Sequence, residues 1–466
     1  MRIRSSVLVA ALSMGLFGGV ASAAPGVSSD GVWRMDGYGT VLSIVGDTMS
    51  VYQTTKISCL HYQDLTRQRT EPNGDLRFVH SGTTSPEGKV KIQTFSPRGR
   101  DRARLQPDGL VGDRGLVRVP ALPPGCGQPV PSDRLSTFDV FWQTFPEQYP
   151  FFAAKGYDWQ RARDIYRPQV KPDMSDDDFF QLLTQMIEPL HDAHTRIMAP
   201  GRNFVGFRPN TILPTPPYNQ QIQDFIERRD IGGKLTRYAN GIIGYADLPD
   251  KIGYLRIAAF AGFTDTEDPA EMATVLDNAL DDILTPARTS GPGKLRGLVL
   301  DLRFNGGGLD SLGQRLASRL TDKPFFAYSK RARDCVDDPS RFTKPQDFTI
   351  TPSAKSKYTG PIALLTSGSQ GSAGETFTQA MTQRTPAPLR IGENTQGVFS
   401  DMLVRELPNG WIFALPNEEY LTATGRTYDG AGIPPHIRTP VFGAELAQGK
   451  DSAFDRALAE FRRQRS

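Results

Sequence analysis

Twice in this chain an apolar run stops at a loop of small residues and a helical pattern begins at once, which limits the fold more than any other feature. In the first copy Leu298-Val299-Leu300-Asp301-Leu302-Arg303 runs into Phe304-Asn305-Gly306-Gly307-Gly308. Leu309, Leu312, Leu316 and Leu320 then fall at helical spacing. In the second, Pro361-Ile362-Ala363-Leu364-Leu365-Thr366 runs into Ser367-Gly368-Ser369-Gln370-Gly371, and Glu375 to Met381 reads as a helix. A third strand–helix pair precedes them, Ile252 to Phe260 and the amphipathic stretch opened by Asp268-Pro269, with Met272, Val275, Leu276, Ala279, Leu280 and Ile283 on one face. Strands alternating with helices imply parallel pairing, right-handed crossovers and an α/β core.

Around that core the pattern changes. Residues 28–125 read as a small all-β barrel or sandwich. Thr40 to Val45 and Met49 to Tyr52 flank a hairpin turn at Gly46-Asp47, and Leu76 to Val79 and Lys89 to Ile92 continue the series. A linker at 126–132 leads to a helical block at 133–200. There Phe138, Phe141, Trp142 and Phe145 share a face, Asp158 caps a helix, and Ser175 with Asp178 resembles a capping box. A Pro-rich connecting segment covers 201–251, with no stretch that reads as a PDZ domain. The core runs over 252–442, with β pattern at Asp401 to Leu407 and Trp411 to Leu415, and a C-terminal helix at 443–466 closes the chain.

Residues 1–23 read as a secretory signal: Arg2 and Arg4, an apolar stretch from Val7 to Val20, then Ala21-Ser22-Ala23 for cleavage. The expected location is periplasmic or secreted, with no stable membrane insertion after cleavage. Cys59, Cys126 and Cys335 would meet an oxidising compartment; Cys59 and Cys126 lie in the same N-terminal region and could pair, in which case Cys335 is the odd thiol, but sequence does not fix the connectivity. The formal net charge is +3 with both signs mixed along the chain, which gives no argument for nucleic acid as a partner.

The chemistry centres on Gly371-Ser372-Ala373-Gly374-Glu375. A serine between a strand end and a helix start exposes its hydroxyl, and the helix N-terminus offers free N–H groups to an oxyanion. The alternative is a helix cap, with Glu375 completing a capping box. A nucleophilic serine needs a base. The five histidines are His61, His80, His191, His194 and His436, and no lysine stands between Lys357 and Lys450. His191 and His194 close a helical pattern, where a side chain can enter a cleft. The same pair with Asp192 is a weaker metal-ligand reading, since no further ligands stand nearby. The second glycine loop, Gly306-Gly307-Gly308, lacks the lysine of a phosphate loop and reads instead as a source of backbone donors.

Taken in order, Leu190-x-Asp192-x-His194-Thr195, Asp301-Leu302-Arg303-Phe304-Asn305-Gly306-Gly307-Gly308, Gly371-Ser372-Ala373-Gly374-Glu375, Gly392-Glu393-x-Thr395 and Asp429-x-x-Gly432-Ile433-x-Pro435 form a series. It resembles the tail-specific (C-terminal processing) serine peptidase family, which includes the tricorn core protease and the retinoid-binding protein of the eye. The resemblance spans roughly residues 135–440. It implies a ClpP/crotonase-like core of ββα units under an N-terminal helical cap, a polypeptide substrate, no cofactor and no metal; an oligomer is compatible with it. It also implies Ser372 as nucleophile and the amides of Gly307 and Ala373 as oxyanion donors. Where the lysine-dependent branch carries its base, this chain has Gln396-Gly397-Val398-Phe399, so the tricorn-type branch fits and His194 matches the base. Asp429 falls at that branch's acid. Ala193 stands where tricorn has a serine, so Asp192 is the second candidate for orienting His194, and Glu375 is a supporting residue. Three functions remain open at this stage: a serine endopeptidase, a non-catalytic ligand-binding protein on the same fold, and an esterase or amidase.

Overall fold

The computed structural model describes residues 28–80, 92–213, 215–266, 268–334, 337–338 and 340–463. The expected signal at 1–23, Cys335 and most of Lys89 to Ile92 lie outside them. The mixed α/β architecture follows the expected order: an all-β domain, a helical cap and a ClpP-like core.

The β domain is a closed barrel of eight antiparallel strands, from Gly31–Met35 to Arg114–Val119, which pair with each other to complete the ring. Alternating residues fill its interior, Trp33, Leu42, Ile44, Met49, Leu65, Phe78, Phe95, Leu105 and Leu116 among them. Cys59 on one strand bonds to Cys126 in the segment that leaves the barrel, a sequence separation of 67. Closing so long a loop restricts the unfolded chain. Replacing both cysteines with serine should cost about 2–4 kcal/mol, read from urea unfolding with and without reductant.

The cap helices carry their caps as read from sequence. Asp158 accepts from Arg161 N at 2.9 Å ahead of Trp159–Tyr166, and Ser175 Oγ accepts from Asp178 N at 3.1 Å ahead of Asp176–Ile187. Their aromatic stripe joins the barrel's apolar cluster and the sheet residues Leu403, Trp411, Phe413 and Leu415. That sheet interleaves cap and core. Its order is Arg202–Val205, Arg196–Ala199, Ile412–Pro416, Met402–Glu406.

The core is a seven-stranded sheet: Thr236–Tyr238, Ile243–Leu248, Ile252–Ile257, Gly297–Asp301, Ile362–Thr366, Leu389–Gly392 and Ile437–Arg438. The first three pair antiparallel and the rest parallel. The first two strands fall in the stretch that reads as a Pro-rich connection, because Gly244 and Asp247 interrupt the apolar signal of Ile243–Leu248. Helices cover both faces. Pro269–Ile283, Asp310–Ser318 and Ala373–Met381 pack on Leu298, Leu300 and Leu364; Pro216–Phe225 and Ser452–Arg463 lie with the cluster of Tyr254, Val299 and Leu365. The register Leu298↔Ile362 to Asp301↔Leu365 ends two central strands together. Both small-residue loops therefore emerge side by side at the carboxyl edge of the sheet, where open α/β sheets form their crevice.

Candidate active site

Gly307 packs directly on Ser372. A Cβ built on Gly307 would stand 2.4 Å from Ser372 Cβ and 3.0 Å from its Oγ. Ser372 is half-buried and precedes the helix Ala373–Met381 with φ 53° and ψ −128°. A residue with a Cβ resists that conformation, which stores strain. Its hydroxyl makes no cap hydrogen bond, so the capping-box alternative is not formed. The Ser372 N–H instead donates to Val398 O at 2.9 Å.

Glu375 is the other half of that departure. It does not reach back to the helix start; it lies fully buried and accepts from Gly397 N at 2.7 Å and Val398 N at 2.8 Å. It thereby holds the 397–398 backbone that receives the Ser372 N–H. Burial pushes its carboxyl up to about 7, against hydrogen bonds from Thr395, Val398 and Gly397 and the charge of Arg208 that favour the anion. The folded chain thus keeps a proton that the unfolded chain releases near 4.5, so this contribution to stability is complete below about pH 4.5 and is lost as pH rises through about 7. Glu375→Gln has no such proton to lose. Its stability relative to wild type should improve by about 3 kcal/mol between pH 4.5 and 8, measured by urea unfolding at each pH.

Two sets of backbone donors surround the serine. Ala373 N–H, at the first helical position, has no hydrogen-bond partner among the described residues. Gly307 N–H donates to Asn305 Oδ1 at 3.0 Å. Asn305 is buried and ties the loops together: its Nδ2 donates to Ile257 O at 3.1 Å and its carbonyl accepts from Gly371 N at 3.0 Å. Sequence reading passed over Asn305, although it stands immediately before the three glycines.

His194 is buried, 5% exposed, in the turn that enters strand Arg196–Ala199. That turn is not helical, so His191 and His194 do not share a helix face. His191 closes a short 3-10 turn at φ 46° and is exposed. Asp192 builds the turn: its Oδ1 accepts from His194 N and its Oδ2 from Tyr149 Oη, both at 3.0 Å. The other histidines sit elsewhere, His61 paired with Asp64 on the barrel, His80 on a barrel strand, and His436 accepting from Arg390 N.

Asp429 comes to the same region by another route. Its Oδ1 accepts from Phe399 N at 3.2 Å and its Oδ2 from Thr427 Oγ1 at 2.6 Å. Burial pushes it well above the usual carboxylate range, and the like charges of Asp192 and Glu375 add to the shift. Burial likewise raises Asp192, against Lys155, the His194 N–H and Tyr149. The stretch 397–399 thus joins Ser372, Glu375 and Asp429.

The segment after strand Arg202–Val205 roofs the same loops. Ser369 Oγ donates to Ile212 O at 2.6 Å and Gln396 Nε2 to Thr211 Oγ1 at 3.0 Å. The barrel forms another wall. Ser311 Oγ donates to Gly109 O at 2.7 Å, and Gly109 packs against Leu309, next to the glycine loop.

Comparison with known proteins bears on the fold and the family. Residues 251–439 match the model of Peptidase family S41, and residues 131–188 match the Tricorn protease C1 domain. A carboxy-terminal-processing protease of Bartonella bacilliformis is 29% identical over 187 residues, covering 40% of this chain. The match spans 38% of that relative's length. A candidate peptidase of Parabacteroides merdae superposes with a TM-score of 0.57 at 23% identity, over 71% of this chain and 97% of its own. Mature CPAF does so with a TM-score of 0.52 at 15% identity, over 70% of this chain and 95% of its own. These two likenesses speak for the fold. Residues 251–439 of this chain accordingly belong to peptidase family S41, preceded by a helical segment of the tricorn C1 type.

Proposed function

We propose that this chain is an exported serine endopeptidase that cleaves polypeptides through an acyl-enzyme on Ser372. The observation that carries the reading is the junction at Ser372: a strained serine with no cap bond, the Ala373 N–H beside it, and Gly307 packed against its side chain. In this reading His194 takes the Ser372 proton and the alkoxide attacks the peptide carbonyl. Ala373 N–H receives the oxyanion, and Gly307 shares its N–H between Asn305 and that oxygen. His194 then protonates the leaving amine, and water attacks the acyl-enzyme by the reverse path. Asp429 and Asp192 complete the carboxyl set around the histidine.

The glycine loop, the serine loop and the S41 match support a peptidase over a binding protein. Export is supported by the sequence pattern at 1–23 and by the Cys59–Cys126 bond, which suits an oxidising compartment. The test is covalent. A fluorophosphonate probe should label the mature chain once, on the peptide that contains Ser372. A folded chain that takes no label, or takes it on another serine, would remove Ser372 from the reaction.

A further inference from the structure

We infer that Asp401 is the positioning residue for His194: an ionised carboxylate, clamped by Lys330, that orients the imidazole and stabilises its protonated form. The inference rests on the proposed role of His194 as base and adds the source of its counter-charge.

The topology brings the two residues to one place. His194 lies two residues before strand Arg196–Ala199, and Asp401 lies one residue before strand Met402–Glu406. Both strands pair with Ile412–Pro416, Arg196 opposite Ala414 and Met402 opposite Pro416. The two residues therefore stand at the same end of one sheet, with a single strand between them, a backbone separation of about 10 Å that their side chains can span. His194 is among the groups whose field favours the Asp401 anion. Asp401 is also close to the serine in the chain's own frame, since it follows by three residues the Val398 carbonyl that receives Ser372 N–H.

The other two candidate carboxyls are committed elsewhere. Asp192 spends its oxygens on the His194 backbone and on Tyr149. Asp429 spends its own on Phe399 N and Thr427. Burial raises both from their ordinary value, and neither is paired with a cation as Asp401 is. Asp401 differs because Lys330 Nζ sits 3.0 Å from its Oδ2. Burial alone would raise it, but Lys330 and Arg114 hold it below the usual carboxylate range.

The clamp has its own supports. Lys330 also contacts Glu418 at 3.3 Å, and Glu418 accepts from Tyr38 Oη of the barrel and from Asp401 N. Burial would lower Lys330, yet Asp401 and Glu418 hold it above its ordinary value. It is thus a fixed cation and not a second base. Asp310, hydrogen-bonded to Thr376 and Tyr420, closes the cluster on the side of the Ser372 helix. The charged and titratable groups around the site are then Asp192, Tyr149 and Lys155 from the cap, Asp429, Lys330, Glu418 and Asp310 from the core, and Tyr38 and Arg114 from the barrel.

An anion beside His194 raises its affinity for a proton. The test is an NMR titration of histidine ring protons in the full mature chain carrying Ser372→Ala, with His194 assigned by deletion. Adding Asp401→Asn should lower the His194 midpoint by about one pH unit or more. Asp401→Glu should restore most of it, and Asp429→Asn should move it little. The double change Asp401→Asn with Lys330→Met removes both charges, leaves no orphan ion in the core, and should keep the lowered midpoint if Asp401→Asn alone folds poorly. In the intact serine background, Asp401→Asn should shift the acid limb of kcat/KM to lower pH by the same amount, with kcat falling at least about tenfold and KM little changed. A His194 midpoint unmoved in folded Asp401→Asn or in the double variant, or one that follows Asp429→Asn instead, would overturn the assignment. The titration needs no turnover, so a chain that shifts as described but cleaves nothing would refute the peptidase reading and leave the pairing standing.

Discussion

Ser372→Ala is expected to leave the fold intact and to remove peptide-bond cleavage. The fold should survive because the Ser372 hydroxyl caps nothing and alanine keeps the same Cβ at the same backbone angles. On the proposed mechanism cleavage should fall at least about 10⁴-fold, because His194 and the backbone donors would have no nucleophile left to serve. The measurement is digestion of an unfolded test protein by both chains, with new termini mapped by mass spectrometry. Equal cleavage would mean another nucleophile. A second substitution separates strain from chemistry. At φ 53° and ψ −128° glycine is at ease where serine and alanine are not. Ser372→Gly should therefore be equally inactive but about 1 kcal/mol more stable than Ser372→Ala. The serine would then be a residue kept for function at a cost in stability.

Gly307→Ala should be nearly as damaging, and for a different reason. Gly307 has φ 102°, a conformation side chains rarely adopt, and its missing Cβ is the space that Ser372 occupies. An added methyl would overlap Ser372 Cβ at 2.4 Å, with Ala373 N only 3.3 Å away. Either the glycine loop or the serine loop must move, and a displacement of about 1 Å at reacting groups commonly costs about 100-fold in rate. With the backbone strain included, the expected loss of stability is about 2–4 kcal/mol, alongside a fall in kcat/KM of about 100-fold or more. Gly306→Ala is the control: a Cβ there meets nothing within 4 Å. It should cost under about 1 kcal/mol and leave cleavage in place. If the two variants behave alike, the contact between the loops does not govern the site.

Much of this was legible in the chain itself. The strand–loop–helix units at Leu298 and Ile362 appear as expected, and so do the helix caps at Asp158, Ser175 and Asp268, whereas the Cys59–Cys126 bond is one pairing that the sequence had left open. Capping and periodicity act over a few residues, so a few residues report them. The strands Thr236–Tyr238 and Ile243–Leu248 were hidden because the first is only three residues long and Gly244 and Asp247 break the apolar run of the second. Glu375 illustrates a competition that sequence cannot decide. Its position three residues after Ser372 suits a capping box, but the backbone of Gly397 and Val398 takes its carboxylate instead.

Lys330 and Asp401 were invisible for a related reason. The base of a Ser-Lys hydrolase would stand after Ser372 in sequence, whereas Lys330 stands before it and is locked between two carboxylates. Tyr38 of the barrel completes that junction from the far end of the chain. By itself the sequence determined the order of elements, the two loops of the site and the serine between strand and helix, because each is written in neighbouring residues. Only the tertiary structure decided which carboxyl of the site region is paired with a buried cation. Charge state follows burial and paired ions, and both are set by residues brought together from the barrel, the cap and the core.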